Sequence, residues 1–409
     1  MHRVAVTGLG VVAPLGDSVE TLIANLSAGR SGIGRLELPE SHRLRSPIGA
    51  SVNFNGSAMF APAQLRMLDR VSQLALAASA QAIADAGIDF TVERRERCGV
   101  SVGTSLGGAS TTDTGYQTAY AQRSERIQPF SVLAAMSNAP ASWIGMQHGL
   151  SGPNLTYSTA CSSSAVALGE AARRIQSGET DIMLAGGAEA PLTFGVLLGW
   201  DAMRILAVVD TDPSRSCRPF SANRTGLVLG EGAAFLVLEQ WEHAEARGAT
   251  IHAELSGYGL TTDVAHITRP SVQGQAAAMR AALHSAGLEP DRIDYVNAHG
   301  TGTPQNDAVE TAALKEVFGP RAYALPVSST KSMHGHLLGA AGALEFLIAI
   351  GAMERGVLPP TMHLDVVDPA CDLDYVAGKS RTGVAIAAVM SSSFAFGGTN
   401  AVLIAQRSS

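Results

Sequence analysis

The sequence predicts an α/β fold built from two related halves. Short apolar, β-prone runs alternate with helical patterns along the chain. One helix, turn, strand and Gly-Thr unit occurs twice. The 409 residues, 46% of them hydrophobic, are enough to bury a large core. Alternation on this scale is typical of sheets that helices cover on both faces.

The predicted strands are short apolar runs that stop at polar or glycine-rich segments. They cover residues 3–7, 99–103, 181–185, 233–238, 294–297, 384–390 and 401–405. The predicted helices have apolar residues at helical spacing, and several end at a glycine, which is a common helix stop. They cover residues 63–86, 161–176, 274–286, 307–318 and 339–353.

The repeated unit lies at residues 82–104 and 281–301. Each copy has an alanine-rich helix that ends at a glycine, then a connector, a strand and a Gly-Thr pair. Ser-Thr pairs at residues 158–159 and 329–330 also stand at comparable places before a later helix. We therefore expect an N-terminal half, residues 1–250, and a C-terminal half, residues 251–409, with comparable sites that face each other.

Composition excludes several classes of partner and location. The net charge is −7 and no long Lys/Arg block occurs, so nucleic acid is not an expected partner. No apolar run is long enough to span a bilayer, and no membrane insertion is expected. The four cysteines form no CxxC pair, and the N-terminus has no signal-peptide pattern. Reduced thiols and a cytoplasmic location are therefore expected.

Cys161 lies where a β-prone run gives way to an alanine-rich helical run. Its sulfur should therefore lie at a helix N-terminus, where free N–H groups and the helix dipole favour a thiolate and can hold an oxyanion. An isolated cysteine is also common as a small buried apolar residue. Other parts of the chain must decide between the two interpretations.

His299 ends an apolar strand before a glycine-rich loop, a position that suits a pocket residue. The same position also fits a structural histidine. Lys331 and His336 follow in a second polar segment, with Glu345 on the next predicted helix. The His334-Gly335-His336 spacing suggests a metal ligand pair, but no third ligand accompanies it with a convincing spacing, so no metal is predicted.

Two further motifs fit known patterns only formally. Residues 8–13 match the dinucleotide fingerprint G-x-G-x-x-A, but Pro14 interrupts the helix that this fingerprint requires. Residues 103–107 match the nucleophile elbow of α/β-hydrolases, with Ser105 as nucleophile. The glycines that follow are a poor helix start, which favours loop packing for Ser105. A thioester hydrolase remains an alternative hypothesis.

Four ordered motifs together resemble the β-ketoacyl-[acyl carrier protein] synthases of the thiolase superfamily, and most closely their elongating type II form. They are Thr-Ala-Cys-Ser-Ser at 159–163, Asn-Ala-His-Gly-Thr at 297–301, Lys331 with Gly-His at 335–336, and Phe-Ala-Phe-Gly-Gly-Thr-Asn at 394–400. The resemblance runs from Val4 to the C-terminus. It implies a duplicated thiolase-like five-layer αβαβα core that acts as a dimer.

The resemblance implies decarboxylative Claisen condensation of an acyl chain on Cys161 with malonyl-[acyl carrier protein]. The product would be 3-oxoacyl-[acyl carrier protein], as in fatty-acid elongation. In this scheme His299 and His336 hydrogen-bond the malonyl thioester carbonyl. Lys331 and Glu345 form an ion pair that orients the two histidines. The acyl carrier protein is the partner, and no cofactor is bound permanently because 4'-phosphopantetheine arrives on that carrier.

The resemblance also assigns the surroundings of the sulfur. The N–H groups of Cys161 and Phe396 form the oxyanion hole, and Phe396, with Phe394 beside it, gates the cysteine. Thr301 and Thr303 bind the pantetheine arm. The acyl pocket is assigned to Leu106, Trp200 and Ser131. The surface that binds the carrier is assigned to Arg66, Arg70, Arg126 and Arg204.

Three residues depart from the pattern of the elongating fatty-acid enzymes. His334 replaces a threonine, Ala265 an aromatic, and Thr225 an acidic residue. These changes leave the pathway open. The alternative is a ketosynthase subunit of a specialised polyketide, polyene, pigment or nodulation-type pathway, working with a homologous chain-length partner rather than as a homodimer. A non-catalytic partner subunit is disfavoured, because such partners typically lack the nucleophile.

Overall fold

The computed structural model describes residues 1–408 of the chain. The strands in chain order are β1 (Val4–Val12), β2 (Ile33–Arg35), β3 (Ile48–Ala50), β4 (Cys98–Gly103), β5 (Asn154–Tyr157), β6 (Ile182–Glu189), β7 (Gly232–Gln240), β8 (Ala253–Thr262), β9 (Tyr295–Asn297), β10 (Val327–Ser328), β11 (Val357–Leu358), β12 (Arg381–Thr382), β13 (Ala388–Phe394) and β14 (Thr399–Gln406). The α-helices are α1 (Val19–Ser27), α2 (Pro62–Leu65), α3 (Arg70–Ala86), α4 (Ala109–Tyr116), α5 (Ser131–Ala135), α6 (Ala139–His148), α7 (Ser163–Gln176), α8 (Phe194–Ala202), α9 (Trp241–Ala246), α10 (Val272–Ala286), α11 (Pro304–Phe318), α12 (Lys331–His334) and α13 (Ala341–Arg355).

The main sheet has ten strands, in the order β10-β9-β13-β14-β8-β1-β7-β6-β4-β5. It consists of two five-stranded halves that join where β1 and β8 pair over two residues. Numbered within each half, both have the order third, second, fourth, fifth, first. The topology therefore repeats, as the duplicated sequence unit predicts.

The two half-sheets alternate with three layers of helices, which gives five layers. The helices α7 and α13 pack on each other between the half-sheets, and their apolar side chains form the central core. The helices α3 and α6 cover the outer face of the first half-sheet, and α10 and α11 cover the second. The layer order is αβαβα, which agrees with the predicted fold class.

The glycines at the start of the chain have a packing role. The first strand does not stop at Thr7, as predicted, but continues to Val12. A Cβ atom on Gly10 would lie 2.0 Å from the carbonyl oxygen of Ala78 in α3, and one on Gly8 would lie 2.1 Å from that of Ala82. Residues 8–12 are therefore strand residues on which a helix packs closely, and the motif at 8–13 is not a dinucleotide loop.

Two further predicted elements differ from the structure, and the strand β8 was not predicted. The helix predicted over 63–86 is interrupted, because the side chain of Asp69 accepts a hydrogen bond from the N–H of Val71 and caps α3. The strand predicted at 384–390 begins at Ala388. The strand β8 was not predicted, because its glycines and polar residues obscure the apolar pattern. The predicted division between residues 250 and 251 precedes β8 and stays a prediction. Ser409 lies outside the described residues.

Two expectations about the chain as a whole concern the membrane and the cysteines. Within residues 1–408, no helix combines the length and apolar character needed to cross a membrane. All four cysteines are buried and unpaired.

Candidate active site

Cys161 lies in a 3-10 turn, Ala160–Ser162, that leads directly into α7. Ala160 has a left-handed backbone, with φ of 50°, and this turns the chain sharply before the sulfur. The start of this helix packs closely against Gly103 at the end of β4. Only glycine fits there, because a Cβ on Gly103 would lie 2.2 Å from the amide nitrogen of Ser164. The sulfur is thus held at the N-terminal end of a helix, the position expected from the sequence.

His336 faces this sulfur directly. Its Nε2 lies 3.0 Å from Cys161 Sγ, and its Nδ1 lies 3.3 Å from the amide nitrogen of Leu338. A backbone N–H can only donate, so Nδ1 must be the acceptor. In the neutral ring the proton is therefore on Nε2, which donates towards the sulfur.

The tautomer of His299 is also fixed by a donor at Nδ1. The ammonium group of Lys331 lies 3.4 Å from His299 Nδ1 and can only donate to it. This leaves the proton of His299 on Nε2. The two imidazole rings meet edge to face, with 5.4 Å between their centroids. Lys331 also forms an ion pair with Glu345, and both side chains are fully buried. The site therefore presents two N–H donors beside one sulfur.

Burial controls the protonation of these groups. Burial, with the Lys331 ammonium, holds the pKa values of His299 and His336 well below the ordinary histidine value, so both rings are neutral at physiological pH. Burial raises the pKa of the Cys161 thiol to about 12, while Lys331 and the N–H of Phe396 act in the opposite direction. The thiolate expected from the helix N-terminus alone is therefore opposed by burial, which is the larger effect.

Two buried carboxylates that sequence reasoning missed support the site. Glu310 accepts hydrogen bonds of 2.7 Å from the N–H groups of His299 and Gly300. Glu189 accepts from the amides of Ser105 and Gly339, and so connects the two halves of the chain. An acidic residue at the end of an apolar strand, as at Glu189, is the signal that would have found it.

A cavity of about 420 Å³ opens above Cys161. Thr301 and Thr303 line it, and their hydroxyl groups lie 2.9 Å apart. Phe396 also lines the cavity, and its ring stacks on Trp200 with 6.1 Å between centroids. Further lining residues that sequence reasoning did not identify come from the loop at 263–270.

Of the remaining predicted residues, Phe394 also lines the cavity, whereas Trp200, Leu106 and Ser131 are not among its lining residues. The ring of Phe394 is buried and meets His299 edge to face at 6.0 Å. Leu106 is 40% exposed, and its amide donates to Glu189. Ser131 begins α5, which carries exposed apolar side chains. The structure of a single chain does not bring Leu106 or Ser131 into the lining of the cavity.

The four arginines predicted to bind a carrier separate into two groups. Arg66 and Arg126 are exposed, and Arg204 is exposed where it lines the cavity. The structure contradicts the prediction that Arg70 belongs to the surface that binds the carrier. Its guanidinium makes two hydrogen bonds of 2.7 Å to the buried carboxylate of Glu231. This side chain is engaged in an ion pair within the fold and is not free to bind a partner.

The alternative chemistries considered for these residues lack the required contacts. The hydroxyl of Ser105 donates to the carbonyl of Ala160, 2.9 Å away, so it is a loop contact. Ligand atoms of Cys161, His299 and His336 lie within 4.8 Å of one another, as in a metal site. The Nε2 of His336, however, is protonated where it faces the sulfur, whereas a metal needs an unprotonated ring nitrogen.

Comparisons with known proteins show which family the chain belongs to. Residues 1–244 match the family model "Beta-ketoacyl synthase, N-terminal domain", and residues 252–365 match "Beta-ketoacyl synthase, C-terminal domain". The chain is 45% identical to nodulation protein E of Rhizobium meliloti (strain 1021), over 98% of both chains. It is 40% identical to 3-oxoacyl-[acyl-carrier-protein] synthase 2 of Coxiella burnetii, over 99% of both.

Solved structures show the same fold. The ishigamide ketosynthase/chain length factor matches with a TM-score of 0.94 and 34% identity, and a type II polyketide ketosynthase in complex with its acyl-carrier protein matches with 0.92 and 31%, each over 100% of both chains. The predicted thiolase-like fold class and the predicted family are confirmed. The protein is an acyl-transferring condensing enzyme and belongs to the β-ketoacyl synthase family.

Proposed function

We propose that Cys161 carries the acyl chain and that His299 and His336 act on a malonyl thioester in the same cavity. The observation that carries this proposal is the pair of neutral imidazoles beside the Cys161 sulfur: Nε2 of His336 lies 3.0 Å from Sγ, and a ring nitrogen of His299 lies within 4.8 Å of it. A neutral N–H donor can stabilise a developing oxyanion without first binding a proton.

In the first half-reaction the Cys161 sulfur attacks the thioester carbonyl of an acyl-carrier. The carrier thiol leaves with a proton, and the acyl group stays on Cys161 as a new thioester. The N–H groups of Cys161 and Phe396 hold the tetrahedral oxyanion, and a single donor of this kind contributes roughly 3 kcal/mol in other enzymes. Contact between the N–H of Phe396 and the sulfur supports this assignment.

In the second half-reaction a malonyl-carrier enters. Its carboxylate leaves as carbon dioxide, and the bonding electron pair moves into the thioester as an enolate. The Nε2–H groups of His299 and His336 hydrogen-bond the enolate oxygen. The α-carbon then attacks the acyl thioester, a carbon–carbon bond forms, and the Cys161 sulfur is released. Lys331 and Glu345 act as positioning residues, because Lys331 fixes the His299 tautomer.

The carrier is proposed to dock at the basic mouth of the cavity. Arg204 at the cavity, with Arg66 and Arg126 on the surface, supplies positive charge for an acidic partner. Thr301 and Thr303 line this cavity with adjacent hydroxyl groups, which supports the proposal that they hydrogen-bond the 4'-phosphopantetheine arm. That arm belongs to the substrate, and a ketosynthase with its acyl-carrier protein is among the similar structures.

A dimer is proposed because one side of the chain is apolar and its sheet edge is open. The strand β5 is the last strand of the main sheet. Nearby helices expose large apolar side chains, including Tyr116, Tyr120, Val132 and Leu133. Such surfaces are normally covered. Coverage by a partner would also bring the segments around Ser131 and Leu106 into an enclosed acyl pocket.

The pathway has two candidates. The relative named 3-oxoacyl-[acyl-carrier-protein] synthase 2 favours fatty-acid elongation. The relatives named nodulation protein E and the ketosynthase/chain length factor structure favour a specialised pathway with a homologous partner. Size-exclusion chromatography of the purified chain separates a homodimer from a chain that needs another subunit.

Intact mass spectrometry after incubation with an acyl-carrier tests the first half-reaction. The wild-type mass should rise by one acyl group, and Cys161→Ala should show no adduct. Ser105→Ala is the matched control and should acylate normally, because the lost hydroxyl donates only to the Ala160 carbonyl and the backbone contact to Glu189 is kept. An adduct that persists in Cys161→Ala would remove Cys161 from the proposal. Loss of turnover in Ser105→Ala would revive the hydrolase.

A further inference from the structure

His334 is a fully buried histidine to which the proposed condensation gives no part. Its Nδ1 lies 2.7 Å from the carbonyl oxygen of Gly335, and its Nε2 lies 2.9 Å from the hydroxyl of Thr330. A carbonyl only accepts, so Nδ1 carries the proton and Nε2 accepts from the threonine. Burial lowers the pKa of His334 to about 3, which keeps the ring neutral.

The carbonyl of Gly335 depends on this contact. The amides of Leu338 and Gly339, which follow it in the turn, donate instead to His336 Nδ1 and to a buried glutamate. A buried carbonyl without a donor costs about 1 to 3 kcal/mol. The N–H of His334 therefore satisfies a group that the neighbouring backbone leaves free.

The same peptide unit carries His336. Its carbonyl belongs to Gly335, and its N–H, that of His336, donates to the carbonyl of Val228 at 2.7 Å. Gly335 has φ of 69° and ψ of −171°, a conformation that favours glycine. With His334 on the carbonyl and Val228 on the N–H, the peptide plane is fixed from both sides, and so is the direction in which the His336 ring leaves the chain.

A chain of side chains extends this support to the other histidine. The hydroxyl of Thr330, which donates to His334, lies 3.4 Å from the side-chain amide of Asn297. Asn297 ends β9, two residues before His299. The elements that carry His299 and His336 are therefore connected behind the site through Asn297, Thr330 and His334, all of which are buried.

We propose that His334 is a positioning residue that aims the Nε2–H of His336 at the reacting thioester, by holding the Gly335 carbonyl through its own Nδ1–H. The inference rests on the proposed function of His336. It assigns a specific role in the reaction to His334, the residue that replaces a threonine in this chain.

Two substitutions of similar size separate positioning from general packing. In His334→Asn the side-chain amide nitrogen occupies the place of Nδ1 and can still donate to Gly335. In His334→Gln the amide reaches the place of Nε2 and contacts Thr330 instead. We expect the Gln variant to lose about 100-fold in kcat for condensation, the size of effect seen when a catalytic group moves by about 1 Å, with KM for malonyl-carrier unchanged. The Asn variant should keep most of the wild-type kcat.

Thermal unfolding shows whether the Asn and Gln variants fold. If either does not fold, a third variant tests the same inference. Thr330→Val retains His334 but removes the hydroxyl that hydrogen-bonds its Nε2 and holds the ring against the Gly335 carbonyl, and should lower kcat about tenfold. Equal kcat values for the Asn and Gln variants, or a wild-type kcat in Thr330→Val, would overturn the inference. A wild-type enzyme that releases no carbon dioxide from malonyl-carrier would instead overturn the proposed function.

Discussion

An ion cluster between the two halves makes stability depend on pH. His252, just before β8, lies between two carboxylates, with Nε2 2.9 Å from Asp85 and Nδ1 2.7 Å from Glu354. Burial lowers its pKa, but hydrogen bonds and charge from both carboxylates act more strongly together, and its pKa rises from 6.5 to about 9. A rise in pKa of this size corresponds to roughly 3 kcal/mol of folding free energy.

The sign follows from the direction of the shift. Because the folded-state pKa is raised, the stabilisation is complete below about pH 6.5 and is lost as the pH rises through about 9. Guanidinium unfolding of wild type and His252→Gln, at one protein concentration, should therefore differ by about 3 kcal/mol more at about pH 6 than at about pH 10. The exposed His284→Gln is the matched control. An equal difference between wild type and His252→Gln at both pH values would refute the reasoning.

Three further predictions concern the cavity and its surface. Arg70→Ala should lower the free energy of unfolding by about 2 kcal/mol, because it leaves a buried carboxylate unpaired. Arg66→Ala should instead raise KM for the carrier and leave the free energy of unfolding unchanged. The reverse pattern contradicts the assignment of these two arginines. Trp200→Leu removes a ring stack on Phe396 worth about 1 kcal/mol, so transfer of long acyl chains should rise about fivefold relative to short ones in a competition assay. Alkylation of Cys161 by iodoacetamide should accelerate about tenfold per pH unit between about pH 6 and 9, and a plateau near neutrality would contradict the raised pKa.

The fold and the centre of the site could be predicted because their signals are local. Each of the repeated helix and strand units is a continuous segment, and Cys161 stands beside its own helix. The strand β8 escaped prediction because its glycines pack against α10, a contact that its own sequence does not encode.

Contacts between distant segments explain the errors about individual residues. Arginine is usually exposed at the surface, but Arg70 forms an ion pair with the buried Glu231, which lies far along the chain. The raised pKa of Cys161 depends on how deeply other segments bury the sulfur. The tautomers of His299 and His336 depend on Lys331 and Leu338, whose positions only the folded chain defines.

The most direct test of the central claim is a condensation assay with acyl-carrier and carbon-labelled malonyl-carrier. The account predicts one carbon dioxide released for each 3-oxoacyl-carrier formed, with the product two carbons longer than the acyl donor. Cys161→Ala should form no elongated product, and His299→Ala and His336→Ala should each lose most of the carbon dioxide release. Elongated product from Cys161→Ala, or wild-type rates from both histidine variants, would contradict the account.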